Sequence, residues 1–481
     1  SFAAPAVSGS IALLAQAFPN HTPEQLVDRL LASANNSFFT ISAFTNFANG
    51  VKHGYNAEFG HGIPDIYGAL SPINSGTYSV PLMYVGGSLK GSESQKTFGE
   101  GIGGSLSSLA YSINDTSLMA SLSFGNSLQT ALAGQKSYFY DGLNGGFKFD
   151  LATAFGIKSS IVDIKNIISD DLSRLNNFDQ IKDKSYDFTF SNMMGSIGDK
   201  NSGLLSFNID TPSAPIQFFN SLNNGSELHL ASFNNPFTDN RKGGMGISYQ
   251  EQIGDKQLLL GFHDSGSRSG LFGENEYTSK TFAASVSQSG GYFDNITVLA
   301  GLMIEEDTLL DSVGSGALGF YGSNPESLFM GVNFEKTFGD DLTLKFVATL
   351  GHSTLDNPRN SLISSVSDIQ SSSFNLIINK YNFLSENDRL SVSIGQPNKV
   401  ESGSMVIRVP GLASSTGVIP YDNVKADLSP SGRQLDFGVD YIKQFNEDLV
   451  VGIKSTVSKD FNHISGADLN NTVTVTGSLK F

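Results

Sequence analysis

Ser1 and Phe2 stand directly ahead of Ala3-Ala4-Pro5-Ala6-Val7-Ser8-Gly9, a run that reads as the opening turns of a helix. Pro5 suits a first turn, where its missing N–H costs nothing, and Val7, Ile11, Leu14 and Phe18 then recur at helical spacing. A serine hydroxyl at a helix N-terminus lies where unpaired amides and the helix dipole favour developing negative charge, as an acyl-transfer oxyanion requires. The small residues Ala3, Ala4, Ala6, Ser8 and Gly9 let such a helix approach a sheet closely. Other chemistries find no constellation. Cysteine is absent, which removes disulfides and thiolate metal sites. The seven His are scattered, and Asp170-Asp171 and Asp340-Asp341 have simpler uses as a solvated helix face and a turn, so no metal or cofactor is expected. Gly99-Glu100-Gly101-Ile102-Gly103 lacks the preceding apolar strand and following helix of a phosphate loop.

The elements that must position Ser1 are read from composition and periodicity. The chain has 481 residues, enough for more than one domain. Its 30 Lys plus Arg against 46 Asp plus Glu leave a net charge of −16, so a nucleic-acid partner is excluded as the default. Charged residues make up 16%, against roughly 25% in ordinary soluble domains. With 51 Gly, 36 Phe and 15 Tyr, many short strands divided by turns are expected, and disorder is not. No window reaches the 18 or so apolar residues of a membrane-spanning helix; a membrane barrel stays open, since its signal is alternation in segments of about ten residues.

Three textures follow one another. Residues 1–70 are helical, with a second helix opening at Thr22-Pro23-Glu24-Gln25 as N-cap, Pro and capping-box Gln. Residues 71–225 are mixed: a short helix at 126–132 stopped by Gly134, a hairpin turning at Gly142 to Gly146, and an amphipathic helix across Ile161, Ile164, Ile168, Leu172 and Leu175. Residues 226–481 are strands, as in Leu342-Thr343-Leu344-Lys345-Phe346, with one apolar and one polar face. Tight turns near 254, 290, 340, 386 and 447 alternate with long polar loops at about 264–278, 306–326, 354–370 and 459–469. This alternation is what a membrane barrel shows, with turns on one rim and loops on the other. Aromatics near the turns, including Tyr292, Phe338, Phe383 and Phe445, suit an interfacial girdle. Residues 397–432 hold either one long loop or two extra strands, and about 12 strands are expected in total.

In the last strand Val473, Val475, Gly477, Leu479 and Phe481 share one face, and Thr472, Thr474, Thr476, Ser478 and Lys480 the other. This resembles the C-terminal strand of bacterial outer-membrane barrels, whose final aromatic is recognised by the insertion machinery. The plainer alternative is an edge strand of a soluble sandwich.

From Ser1 to Gly9 the sequence also resembles the serine motif of the subtilisin-like proteases, Gly-Thr-Ser-x-Ala-x-Pro-x-Val-x-Gly, from its Ser onward. Gly60-His61-Gly62-Ile63-Pro64-Asp65 is similar to the Gly-x-Gly-x-x-Asp segment near the end of that domain. The resemblance covers residues 1 to about 70 and implies that Ser1 is the nucleophile, its Oγ activated by a His that an Asp orients. In that family the Asp, the His and the oxyanion Asn precede the Ser. His21, His53 and His61 therefore inherit no base role, His61 being a structural residue in a Gly-rich turn, and the chain is expected to be the inactive C-terminal portion of a longer peptidase. A rival use of Ser1, as an N-terminal nucleophile with its own amine as base, conflicts with the Ala-Pro helix.

Together the two ends resemble a subtilisin-type autotransporter. The expected fold is mainly β: a transmembrane antiparallel barrel of about 12 strands over 226–481, a junction over 71–225 and a partial α/β subtilisin-like domain over 1–70. The implied partners are a polypeptide substrate, outer-membrane lipid and the insertion machinery, with the barrel in the bacterial outer membrane and the passenger at the cell surface or secreted. The helix at 161–176 is expected to thread the pore. The competing readings are a non-enzymatic porin or adhesin translocator with a degenerate passenger, and a soluble β-rich protein.

Overall fold

The computed structural model describes residues 3–73, 117–150, 245–264 and 278–479, apart from 316–317, 360, 413, 415–417, 419 and 447–448. It also describes residue 237 and the segments 76–78, 96–98, 155–157, 194–199, 203–209, 268–269 and 276–277. Ser1, the helix expected at 161–176 and Phe481 lie outside the described residues.

Helix α1 (Ala3–Ala17) stops just ahead of Pro19, which has no N–H to continue it. Helix α2 (Pro23–Ala32) opens in the expected capping box: Gln25 N donates to Thr22 Oγ1 at 3.3 Å and Thr22 N to Gln25 Oε1 at 2.8 Å. Strands β1 (Ala43–Asn46) and β2 (Lys52–Tyr55) form a hairpin, and helix α3 (Ile66–Leu70) follows. Leu14, Phe18, Leu26, Leu30 and Ala69 close a small core among the three helices. Two short strands, β3 (Gly76–Tyr78) and β4 (Lys96–Phe98), pair with each other.

Next come β5 (Ser117–Ala120), a 3-10 turn at Leu122–Phe124 and helix α4 (Ser127–Leu132). The hairpin of β6 (Lys136–Tyr140) and β7 (Gly146–Asp150) turns where expected, and β8 (Phe155–Ile157) lies parallel to β5. The strand region runs β9 (Met194–Asp199), β10 (Gly203–Ile209), β11 (Met245–Ile253) and β12 (Lys256–Asp264), then the minor pair β13 (Arg268–Ser269) and β14 (Glu276–Tyr277). It continues with β15 (Ser279–Ser289), β16 (Asn295–Glu305), β17 (Thr308–Leu309), β18 (Ser312–Ser315), β19 (Glu326–Phe338), β20 (Leu342–Thr354) and β21 (Ile363–Val366). It ends with β22 (Ile369–Tyr381), β23 (Asp388–Ser402), β24 (Ser404–Pro410), β25 (Tyr421–Asp427), β26 (Leu435–Gln444), β27 (Leu449–Lys459) and β28 (Asn470–Leu479).

Thirteen of these strands make one antiparallel sheet in the order β28-β27-β26-β23-β22-β20-β19-β16-β15-β12-β11-β10-β9. Each strand of this sheet pairs with the sheet's next strand along the chain, so the sheet is a meander with β9 and β28 at its two ends. Tight turns join strands at one end, while the long connections at the other carry β13–β14, β17–β18 and the separate sheet β21-β24-β25. Within the stretch 397–432, β23 runs on to Ser402, and the rest is a single excursion with its own strands β24 and β25.

The strand count differs from expectation. Two of the thirteen, β9 and β10, precede residue 226, which leaves eleven beyond it, not twelve. Met194-Gly195-Ser196-Ile197-Gly198-Asp199 has weak strand propensity and no clear alternation; pairing with β10, itself paired with β11, recruits it.

The two faces of the sheet are inverted relative to a soluble protein. Exposed side chains include Val286, Val298, Leu328, Met330, Leu350, Ile378, Val439, Val473 and Val475. The buried face carries Ser287, Asn295, Thr297, Asn333, Thr343, Lys345, Asn375, Ser391, Lys454 and Thr456. Toward the long connections the buried face turns apolar. There Phe237 stacks on Phe329 with ring centroids 5.1 Å apart, and a Cβ on Gly351 would sit 2.3 Å from the Phe237 ring. Glycine is required at 351 for that close approach. Among the described residues no helix is long and apolar enough to cross a membrane, which says nothing about strands.

Candidate functional site

The first turn of helix α1, at the end nearest Ser1 in sequence, has amides without intrahelical partners, except Pro5, which carries no N–H. The expected close approach of this helix to a sheet is not made among the described residues: Ala3 to Gly9 are exposed, and only Leu14 of α1 is fully buried. The reason is packing geometry. The α2 and α3 contacts take the Leu14 and Phe18 side of α1, and no described strand lies over its small-residue side.

The second motif segment is structural. Gly62 has φ +112°, and a Cβ there would lie 2.2 Å from the Asn35 carbonyl oxygen, so only glycine fits. Asn35 and Ile63 exchange backbone hydrogen bonds of 2.8 and 3.0 Å across this contact. Asp65 caps α3, accepting from Gly68 N at 2.9 Å.

The three histidines within residues 3–73 are committed to the scaffold. His53 and His61 meet Nδ1 to Nδ1 at 3.2 Å, His53 Nε2 lies 2.9 Å from the Ala34 carbonyl, and His61 Nε2 lies 3.3 Å from Thr45 Oγ1. One proton order satisfies all of them: Thr45 hydroxyl to His61, His61 Nδ1–H to His53, His53 Nε2–H to Ala34. Burial, and then the neighbouring His53, lower the pKa of His61. His21 Nε2 lies 3.3 Å from the Leu143 carbonyl, and burial followed by the charge of Arg29 lowers its pKa. The structural role expected of His61 matches these contacts.

The strongest electrostatic feature of this region was not anticipated. Arg29 and Asp141 are both fully buried and form a bidentate pair, with Nη1 to Oδ1 at 3.1 Å and Nη2 to Oδ2 at 2.6 Å. Arg29 also donates from Nε to Ala69 O at 2.7 Å and from Nη2 to Ser71 O at 3.0 Å. Asp141 in turn accepts from the backbone amides of Ile73, Leu143 and Gly145 at 2.8–3.0 Å. The guanidinium rests over the Phe18 ring, 4.1 Å from its centroid. The sequence does carry one half of the signal, because Arg29 shares the buried stripe with Leu26 and Leu30. Its partner is 112 residues away and cannot be read from spacing. The pair ties the helical unit to the hairpin of β6 and β7 through buried contacts.

Among the described residues no group of three or more His, Asp or Glu side chains converges as a metal site. Residues 1–62 match the family model of the subtilases, described as Peptidase_S8, the subtilase family. No curated protein matches the chain. Among solved structures, OmpTdeltaL8, a loop-deletion mutant of the outer membrane protein OmpT of Vibrio cholerae, is 9% identical over 60% of this chain and 78% of its own, with a TM-score of 0.37. An anion-selective porin from Comamonas acidovorans is 11% identical over 60% and 77%, with a TM-score of 0.35. The toluene transporter TodX of Pseudomonas putida is 13% identical over 50% and 74%, with a TM-score of 0.28. At such scores these likenesses establish neither fold nor function for this chain.

Proposed function

We propose that this chain joins the serine end of a subtilisin-like endopeptidase to an outer-membrane β-barrel that exports it, an autotransporter arrangement. The observation that carries the barrel half is the inverted sheet. A row such as Val286, Val298 and Val332, adjacent in register, has its apolar side chains facing out while Asn, Ser, Thr and Lys face in. Water on the outer face would leave this apolar surface unburied, whereas lipid covers it. Asn295 and Asn333 have amide atoms with no protein partner among the described residues, a cost in a dry core that a wet lumen removes. Exposed Tyr292, Phe338, Phe383 and Phe445 cluster at the tight-turn end, as an interfacial belt requires. Thirteen strands leave β9 and β28 running parallel, so an all-antiparallel barrel needs an even number, with β10 or one further strand meeting β28 at the seam. The terminal strand with Phe481 is the handle for the insertion machinery.

The peptidase half rests on the subtilase match over residues 1–62. Ser1 is the proposed nucleophile, attacking a peptide carbonyl while α1 stabilises the oxyanion. In that family the Asp and the His come ahead of the Ser in chain order. The substrate is a polypeptide met outside the cell, with the barrel in the bacterial outer membrane.

Two measurements test the halves separately. The barrel predicts detergent-dependent solubility and heat-modifiable gel migration; a monodisperse, detergent-free monomer overturns it. The peptidase predicts fluorophosphonate labelling of the parent chain that vanishes in Ser1→Ala. Absence of labelling in a parent with a folded barrel would favour a non-enzymatic translocator instead.

A further inference from the structure

Residues 117–150 are seated on the long-connection end of the sheet. Phe124, Leu128 and Leu132, from the 3-10 turn and α4, belong to one continuous buried cluster with Leu318, Ile407 and Leu428 from the long connections. A polar clasp surrounds this cluster. Ser121 N donates to Ser312 Oγ at 2.8 Å, Asn398 Nδ2 to Ser123 Oγ at 3.0 Å, Ser431 N to Asn126 Oδ1 at 3.2 Å, and Ser137 Oγ to Pro410 O at 3.0 Å. Strand β5 adds an antiparallel pairing with β18, Val313 opposite Met119. Gly125, at φ +47°, brings its backbone so close to the connection before β28 that a Cβ would lie 2.6 Å from the Asn462 carbonyl oxygen. This is the anatomy of a binding interface, an apolar desolvated centre with a hydrogen-bonded rim.

We infer that the long-connection end of the sheet is a docking surface for residues 117–150, and that the docking does not depend on chain continuity. When the backbone is cut between 158 and 193, the peptidase-like half stays bound to the sheet through these contacts. The partner is the amino-terminal fragment of this same chain. Arg29 and Asp141 carry the attachment onward to α2, so residues 3–73 are retained with the hairpin. Scission removes only the effective concentration that a linker supplies, of mM order, and leaves every contact named above in place.

The test uses the 481-residue chain, tagged at its amino terminus, with a site-specific protease sequence inserted after residue 175. After cutting in detergent, the carboxy-terminal fragment is expected to stay on the tag resin through washing and to leave only in denaturant. Separation of the halves on cutting, with the carboxy-terminal fragment still heat-modifiable, overturns the inference. Leu128→Asp is expected to raise the dissociation rate by about a hundredfold or more. Because that change also threatens folding of α4, the milder pair Asn126→Ala with Ser137→Ala is run beside it and is expected to raise the rate by about tenfold, with the uncut chain still folded and heat-modifiable. Retention equal to the parent in both variants overturns the interface assignment. Failure of the membrane reading has a separate sign, since the carboxy-terminal fragment would then be soluble without detergent.

Discussion

Val298→Arg separates a lipid-facing sheet from a wet one. Val298 is 55% exposed on β16 and pairs with Val286 of β15 and Val332 of β19. From Phe338 at the turn end, Val332 lies six residues up β19, about 20 Å along a strand. With strands tilted by about 40°, that is about 15 Å of height, close to the middle of an apolar band about 25 Å tall. An Arg at the bilayer middle costs about 2–4 kcal/mol on such a face, so the folding equilibrium falls by about a hundredfold. On a solvated face the same substitution would stay within about 0.5 kcal/mol, because the side chain already points outward. The assay is urea-dependent folding into phospholipid vesicles, with Gln288→Arg near the turn rim as the depth control, expected to shift stability by no more than about 1 kcal/mol. If Val298→Arg and Gln288→Arg unfold together with the parent, lipid does not cover this face and the barrel argument fails.

Three further outcomes follow from particular contacts. Asp141→Ala leaves Arg29 buried without its partner and should cost the helical unit about 3–5 kcal/mol. Hydrogen exchange across α2 and the hairpin should then accelerate by at least a hundredfold, with the thermal transition of the sheet unmoved. His463, in the connection between β27 and β28, accepts from Gln434 N at 2.9 Å and contacts the Asn398 carbonyl through Nε2 at 3.1 Å. Burial lowers its pKa to about 4, so the folded state holds it neutral while the unfolded state protonates below its ordinary 6.5. Its contribution is therefore complete above about pH 6.5 and is lost as pH falls toward 4, about 3 kcal/mol in all; proteolysis of the long connections from pH 7.5 to 4.5 reads it, and His463→Gln should flatten the profile. Finally, Gly351→Ala drives a Cβ into the Phe237 ring and should destabilise by about 1–3 kcal/mol in detergent melts, with Phe237→Leu relieving part of the loss.

Much of the local architecture was legible in the sequence. Thr22-Pro23-Glu24-Gln25 announced its capping box, and Asp141-Gly142-Leu143-Asn144-Gly145 its hairpin, because both depend on residues within one turn of each other. The alternation of tight turns and long loops was likewise a local property and survived intact. The segment at 194–209 was missed as part of the main sheet because only the pairing of β10 with β11, and of β9 with β10, brings it in. Of the candidate site, the helix that follows Ser1 and the turn at Gly62 were readable, while Ser1 itself lies outside the described residues.

A period of two determines that a strand has two unlike faces, and the sequence by itself established that for Val473 to Leu479 and its neighbours. It does not determine which face is buried. Only the assembled sheet decided that the apolar side chains point outward, because burial is a property of how neighbouring strands curve around one another. The same reason hid the Arg29–Asp141 pair and the seat of Phe124 and Leu128 on the sheet. Such contacts join residues far apart in the chain, and nothing in spacing records a distance that exists only after folding.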